Sequence, residues 1–208
     1  MNRRAMTKPI FALACCALAL TACSPAGQPA APQVTGALLD GAAIGGPFTL
    51  TDKTGKRVSW DQFKGKYRIV YFGYTFCPDA CPMDLSVLIR GFTLFAQDHP
   101  AQAAEVQPIF ITIDPARDTP ARVGEFTAAF SPKLIGLTGT QAEVDVAVKA
   151  FKAVAARGSD TPGGYLMDHS RGVNLFDPDG KPIAIVPIER GLKDGPDDVA
   201  AELKKWVR

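Results

Sequence analysis

The chain has 208 residues, 47% of them hydrophobic, and a formal charge of +2 at neutral pH. Arg3, Arg4 and Lys8 lie ahead of Cys23, so from that cysteine onward 20 Lys and Arg stand against 21 Asp and Glu, and the charge is about −1. That balance excludes nucleic-acid binding, which needs a concentrated basic face to neutralise phosphates, and a chain this long buries one domain's core without a disulfide scaffold.

The amino end carries those basic residues, then an apolar run from Ile10 to Leu20, then Leu20-Thr21-Ala22-Cys23. The run is too short to cross a bilayer and ends in small residues, as a secretory signal does. Its last four residues resemble the bacterial lipobox, in which the cysteine becomes the lipidated first residue after cleavage. Residues 1–22 are therefore expected to be a lipoprotein signal, with Cys23 lipidated and Cys15 and Cys16 discarded. Residues 23–45 are rich in Ala, Pro, Gly, Gln and Thr, and read as a flexible tether spanning roughly 25 Å as a loose coil. The globular domain is expected over 46–208.

Phe48–Leu50 and Val58–Trp60, separated by a turn at Asp52 to Gly55, predict an N-terminal hairpin. Tyr67, Ile69, Val70, Tyr71 and Phe72 form a β-branched and aromatic run typical of a strand covered on both faces. From Pro82 onward Leu85, Leu88, Ile89 and Phe92 recur at helical spacing, and the helix is expected to fray near His99-Pro100. Val106 to Ile113 reads as a second core strand. Thr119 is placed to cap a helix running from Pro120 to about Phe130, Leu134–Leu137 makes a short strand, and Thr140 caps a further helix. Gly158–Gly164 reads as a flexible loop. Val173–Phe176 and Ile183–Ile188 flank Asp177-Pro178-Asp179-Gly180, a type I turn, and predict a C-terminal hairpin. A closing helix is expected from about Pro196 to Val207. Strands alternating with helices give an α/β sandwich with a mixed sheet.

Chemistry is concentrated where the first core strand runs into Cys77 and Cys81. Each cysteine precedes a proline, which biases it to extended backbone, so both are expected in the loop at the helix mouth. There the unsatisfied N–H groups and the helix dipole favour thiolate, the form that attacks disulfides and binds metals. With Cys23 lipidated these are the only free thiols of the mature chain. His169, in Tyr165-Leu166-Met167-Asp168-His169-Ser170, sits where the flexible loop enters the hairpin. Two thiolates and an imidazole form a donor set for copper or zinc; thiolates favour Cu(I), and imidazole is compatible with Cu(II). Spacing alone leaves open a structural disulfide and a hydrogen-bonded polar His169. Asp79 is either a solvated loop acid or an electrostatic aid to a bound cation. Asp114 and Asp118 suit turn formation and capping, Met83 and Met167 suit packing, and His99 suits the surface.

Three blocks tie these residues together: Phe72 to Pro82 (F-G-Y-T-F-C-P-D-A-C-P), Thr112 to Pro120 (T-I-D-P-A-R-D-T-P) and Tyr165 to Gly180 (Y-L-M-D-H-S-R-G-V-N-L-F-D-P-D-G). In order and separation they resemble the signature blocks of the Sco/SenC family, copper-binding proteins of cytochrome oxidase assembly, over about Pro47 to Arg208. The resemblance implies a thioredoxin-like fold and a copper site made by Cys77, Cys81 and His169, with Asp114 and Asp118 at family positions near it. Phe76 departs from the pattern, since many relatives carry a polar residue there. The implied function is a lipid-anchored periplasmic chaperone, inner membrane favoured, that delivers copper to the dinuclear copper centre of a cytochrome c oxidase subunit. A periplasmic copper donor and a thiol reductant would serve it.

The competing reading is a thiol-disulfide oxidoreductase in which Cys77 and Cys81 are a redox-active, disulfide-forming pair and reduce a client's cysteines. Three residues separate them, wider than the redox C-x-x-C. A thiol peroxidase, suggested by Thr75 and Cys77, fits Cys81 and the His169 block poorly.

Overall fold

The computed structural model describes residues 35–208; the expected signal, Cys23 and the tether as far as residue 34 lie outside the described residues. Two short strands, β1 (Thr49–Thr51) and β2 (Arg57–Ser59), pair antiparallel with Leu50 opposite Val58. The Asp52 carboxylate closes their turn by accepting from the Thr54 and Lys56 amides. A single 3-10 turn, Trp60–Phe63, feeds β3 (Tyr67–Gly73), buried from Arg68 onward. Then follow α1 (Ala80–Asp98), α2 (Pro100–Ala104), β4 (Val106–Thr112), α3 (Pro120–Ala128), β5 (Ile135–Leu137) and α4 (Gln141–Ala150). The chain ends with β6 (Ala155–Thr161), β7 (Gly164–His169), β8 (Val173–Phe176), β9 (Pro182–Val186) and α5 (Gly191–Trp206).

The main sheet has the order β5-β4-β3-β8-β9. β3, β4 and β5 run parallel, and β8 and β9 form the antiparallel C-terminal hairpin beside β3. This is the expected thioredoxin-like arrangement, a mixed central sheet flanked by helices. Alternation along β3 divides the core: the Tyr71 hydroxyl reaches Asp84 of α1, whereas the Phe72 ring meets Phe151, at the end of α4, with centroids 5.5 Å apart. Helix α5 packs on α1 where a Cβ at Gly91 would collide with Val199 and the Pro196 carbonyl. Both expected caps form: Thr119 accepts from the Arg122 amide, and Thr140 makes a reciprocal capping box with Glu143.

Several boundaries differ from the sequence reading. Helix α1 begins at Ala80, capped by Asp79, so Cys81 is not in the loop but inside the first helical turn and fully buried. A proline two residues into a helix lacks only an amide that has no intrahelical partner, so Pro82 does not delay the start. The chain restarts as α2 straight after His99, whose ring lies 5.3 Å from that of Phe95. Gly158–Gly164 is not a loose loop: it belongs to an antiparallel ribbon, β6 with β7, outside the main sheet. Helix α5 starts at Gly191, with Pro196 inside it. The described end of the expected tether does not run free, because the Leu39 amide donates to Ile183 and the Ile185 amide to Ala37 along the edge of β9. No helix among the described residues is long and apolar enough to cross a membrane.

Candidate metal centre

β3 delivers the chain to the first thiol and α1 carries the second. At Gly73 a Cβ would stand 3.0 Å from the Cys81 sulfur and 3.1 Å from the Phe110 ring, so the strand end passes close to that sulfur because glycine has no side chain. The chain then turns, with the Cys77 amide donating to the Tyr74 carbonyl at 3.3 Å. Asp79, exposed, accepts from the Ala80 amide and opens α1. Its role is that of a helix cap. The Cys81 amide, one of the orphan donors of the first turn, points at the Cys77 sulfur from 3.3 Å.

The ribbon brings in the third group. His169 is the last residue of β7, paired with Ala155, and its Nε2 lies 3.3 Å from the Cys81 sulfur. On the other side of the ring, Nδ1 is 3.0 Å from the Ser170 carbonyl. A proton held there by the carbonyl leaves the Nε2 lone pair facing the sulfurs, the arrangement in which a neighbouring acceptor fixes the ligating tautomer. Tyr71 and Tyr74 set their rings edge-on to the imidazole, at 88° and 85°. The two free sulfurs among the described residues, those of Cys77 and Cys81, and one ring nitrogen of His169 lie within 4.8 Å of one another.

The two thiols are electrostatically unlike. Cys77, half-buried, is pulled down to about 3, chiefly because the Cys81 side chain donates to its sulfur, against the opposing effect of burial and with help from His169 and the helix-mouth amides. Cys81 is pushed well above the thiol range by giving that same hydrogen bond and by its burial. Burial works against the His169 imidazolium, yet the Cys77 thiolate and the Ser170 carbonyl outweigh it and the ring titrates above its ordinary value. The imidazole thus touches the Cys81 sulfur and is governed by the Cys77 charge. A thiolate beside a second thiol and an imidazole is a soft donor set that suits a thiophilic metal with some tolerance for nitrogen, which means copper before magnesium or calcium.

Around these three groups lie residues that the sequence reading named, such as Asp114 and Asp118, and others, Asp84 and Arg171 foremost, that it did not single out. Asp84, one turn along α1 from Cys81, is buried and accepts from the Tyr71 hydroxyl at 2.9 Å. It also receives Nε of Arg171 at 2.9 Å and Nη2 on its second oxygen. Asp118 caps no helix; its carboxylate is used inside the fold. Fully buried, its carboxylate accepts from the Thr75 amide at 3.0 Å, the Thr75 hydroxyl at 2.6 Å and the Thr112 hydroxyl at 2.5 Å, bracing the chain two residues ahead of Cys77. Burial pushes its carboxyl up in spite of those donors. Asp114 takes Arg117 on one oxygen and the Tyr165 hydroxyl, at 2.8 Å, on the other. The Arg117 guanidinium lies 3.6 Å over the Tyr165 ring and 4.8 Å over Phe76, and Arg122 lies 4.7 Å over Phe76. Phe76, the departure noted in the sequence, is therefore held between two arginines. Met83 is exposed and Met167 packs against the core.

A family model described as SCO1/SenC matches residues 36–208. The chain belongs to the Sco/SenC family. It is 44% identical to Protein SenC of Rhodobacter capsulatus over 66% of this chain and 60% of that protein. The chain spans about half the length of several curated Sco relatives it matches, 54% and 46% in two of them. Among solved structures it resembles Bradyrhizobium japonicum ScoI with copper bound, at 38% identity and a TM-score of 0.69, covering 79% of this chain and 99% of that one. It also resembles BsSco, described as having a disulfide switch and as a member of the Sco family of cytochrome c oxidase assembly proteins, at 26% identity and a TM-score of 0.57, covering 86% and 97%.

Proposed function

We propose that this Sco/SenC protein is a copper chaperone in which Cys77, Cys81 and His169 bind Cu(I) or Cu(II) and pass it to the dinuclear copper centre of a cytochrome c oxidase. The observation that carries the reading is the convergence, within 4.8 Å, of two sulfurs and a ring nitrogen from segments 88 residues apart along the chain. Cys77 is already a thiolate at neutral pH and half-exposed, so copper can be captured there and a partner's cysteines can enter to exchange ligands. Binding then completes the site with the Cys81 sulfur, whose proton the metal displaces, and with Nε2 of His169. The setting we propose is the periplasm, the domain tethered to the inner membrane through lipidated Cys23, with a copper donor upstream and a thiol reductant keeping the sulfurs free. The copper-bound relative and the oxidase-assembly description of BsSco support this assignment. Copper titration of the reduced protein tests it: wild type takes up one copper per chain, whereas unchanged Cu(II) affinity and absorption spectrum in H169A remove the imidazole from the site.

A second activity of the same sulfurs is favoured by their unequal acidity. The Cys77 thiolate can attack a client disulfide to form a mixed disulfide and release one client thiol. Attack by Cys81, after loss of its proton, then frees the second and leaves a Cys77–Cys81 disulfide, two electrons having passed to the client. Such reduction needs both cysteines and tolerates loss of His169; copper delivery needs all three.

A further inference from the structure

The ribbon that carries His169 is exposed along most of its length and shares no strand pairing with the main sheet. Something else must hold its last residue over the sulfurs. At the far end the Tyr165 hydroxyl is fastened to Asp114. Beyond His169, Ser170 exchanges hydrogen bonds with Val154, but Val154 precedes β6 and belongs to the same excursion of chain. Two ties run from this end to the body of the domain: Met167 packs on the core with its backbone hydrogen-bonded to the Tyr74 side chain, and Arg171, directly beyond Ser170, closes a two-point ion pair on Asp84 with its guanidinium. Asp84 stands three residues after Cys81 on α1, and it also holds the hydroxyl of Tyr71, whose ring lies edge-on to the imidazole. One carboxylate thus joins the helix of the second sulfur, a ring against His169 and the segment immediately after His169.

We propose that Arg171 and Asp84 are positioning residues: their ion pair latches the His169 end of the ribbon to α1 and holds the imidazole at its distance from the Cys81 sulfur. The proposal rests on the reading of Cys77, Cys81 and His169 as a copper site. The carboxylate is 1% exposed and preset, whereas the arginine is 55% exposed, so the arginine can be replaced without opening a cavity in the core. Loosening the latch leaves both sulfurs where β3 and α1 put them and frees only the nitrogen. Because thiolates dominate Cu(I) binding and the imidazole matters more for Cu(II), the two valences separate this role from general damage to the fold.

The test compares wild type with R171M, which keeps the length and loses the charge, and R171K, which keeps the charge without the fork. In the metal-free reduced protein, amide exchange over Asp168–Gly172 is expected to rise about tenfold in R171M while the rest of the chain is unchanged. Cu(II) affinity is expected to fall about 10-fold or more, within the range seen when a ligand's supporting residue is lost, with R171K intermediate. Cu(I) affinity should stay within about threefold of wild type. Wild-type exchange and wild-type Cu(II) affinity in R171M would overturn the latch, and so would an equal loss of both valences. If wild type itself binds no copper while exchange over this segment still accelerates only in the variants, the copper reading fails and the latch stands.

Discussion

Gly73 and Cys81 lie so close that a β-carbon on the glycine would stand 3.0 Å from the cysteine sulfur. Nothing there can give way cheaply, since the Tyr71 and Phe110 rings close the same space at 2.9 and 3.1 Å. G73A should therefore cost about 2 kcal/mol, the usual penalty for forcing a methyl into a full core, and should push the Cys81 sulfur off its place. Chemical denaturation gives the first quantity; copper affinity, falling in parallel, gives the second. An unchanged affinity would mean that the sulfur's position is set from α1 alone.

Cys77 should behave as a thiolate over the whole neutral range. Alkylation of an ordinary thiol, ionising near about 8.5, speeds up roughly tenfold per pH unit below that value. With Cys77 held down to about 3, its alkylation rate should be nearly flat between about pH 5 and 8, while buried Cys81 remains unreactive. Mass spectrometry of the labelled peptides distinguishes the two sites. The stability consequence follows in sign: a depressed folded value stabilises the protein fully above roughly pH 9, and that contribution is lost as pH falls toward the folded value. The raised His169 works in the opposite direction, stabilising below about pH 6.5 and losing its effect as pH rises through the higher folded value. C77S should abolish the first dependence and weaken the second.

Asp118 is expected to matter for folding more than for metal chemistry. Its removal in D118A strands the Thr75 amide and the Thr75 and Thr112 hydroxyls in a buried place. The cost should be about 3 kcal/mol, the upper end for unsatisfied buried groups, and D118N, which keeps one acceptor, should lose less. If D118A instead leaves stability intact and abolishes copper binding, the residue belongs to the metal site directly.

The outline of the fold was legible because its core strands are dense apolar runs and its caps are strong local signals. Thr119 and Thr140 do what their side chains suggest. The ribbon of β6 and β7 was not legible, since β6 is exposed along nearly its whole length and β7 is half-buried without alternation, and Gly158, Pro162, Gly163 and Gly164 look like a loop. The start of α5 was hidden for the reverse reason. Gly195 and Pro196 look like helix breakers, yet both are buried, and a Cβ at Gly195 would come within 2.7 Å of Val87, so the glycine serves packing against α1. Cys77, Cys81 and His169 could be singled out as a candidate donor set from the three sequence blocks and the family they resemble, whereas the contacts of Asp84, Tyr71 and Arg171 could not. Their contacts join residues 13 and 87 positions apart, and only the folded sheet brings them together.

Phe76 makes a smaller prediction. Held between Arg117 and Arg122 at an exposed site, it should contribute about 1 kcal/mol through its two cation–π contacts. A polar residue there, as in F76S, should cost that much in thermal unfolding and leave copper stoichiometry unchanged; loss of copper would show that the aromatic ring shields the Cys77 sulfur.

The central claim, that two sulfurs and one imidazole converge on a single metal ion, is tested most directly by X-ray absorption at the copper edge of the Cu(II)-loaded protein, wild type beside H169A. The account predicts two sulfur scatterers and one imidazole nitrogen in wild type, with the imidazole signal gone from H169A and both sulfurs retained. An imidazole signal that survives in H169A, or a single sulfur in wild type, would contradict it.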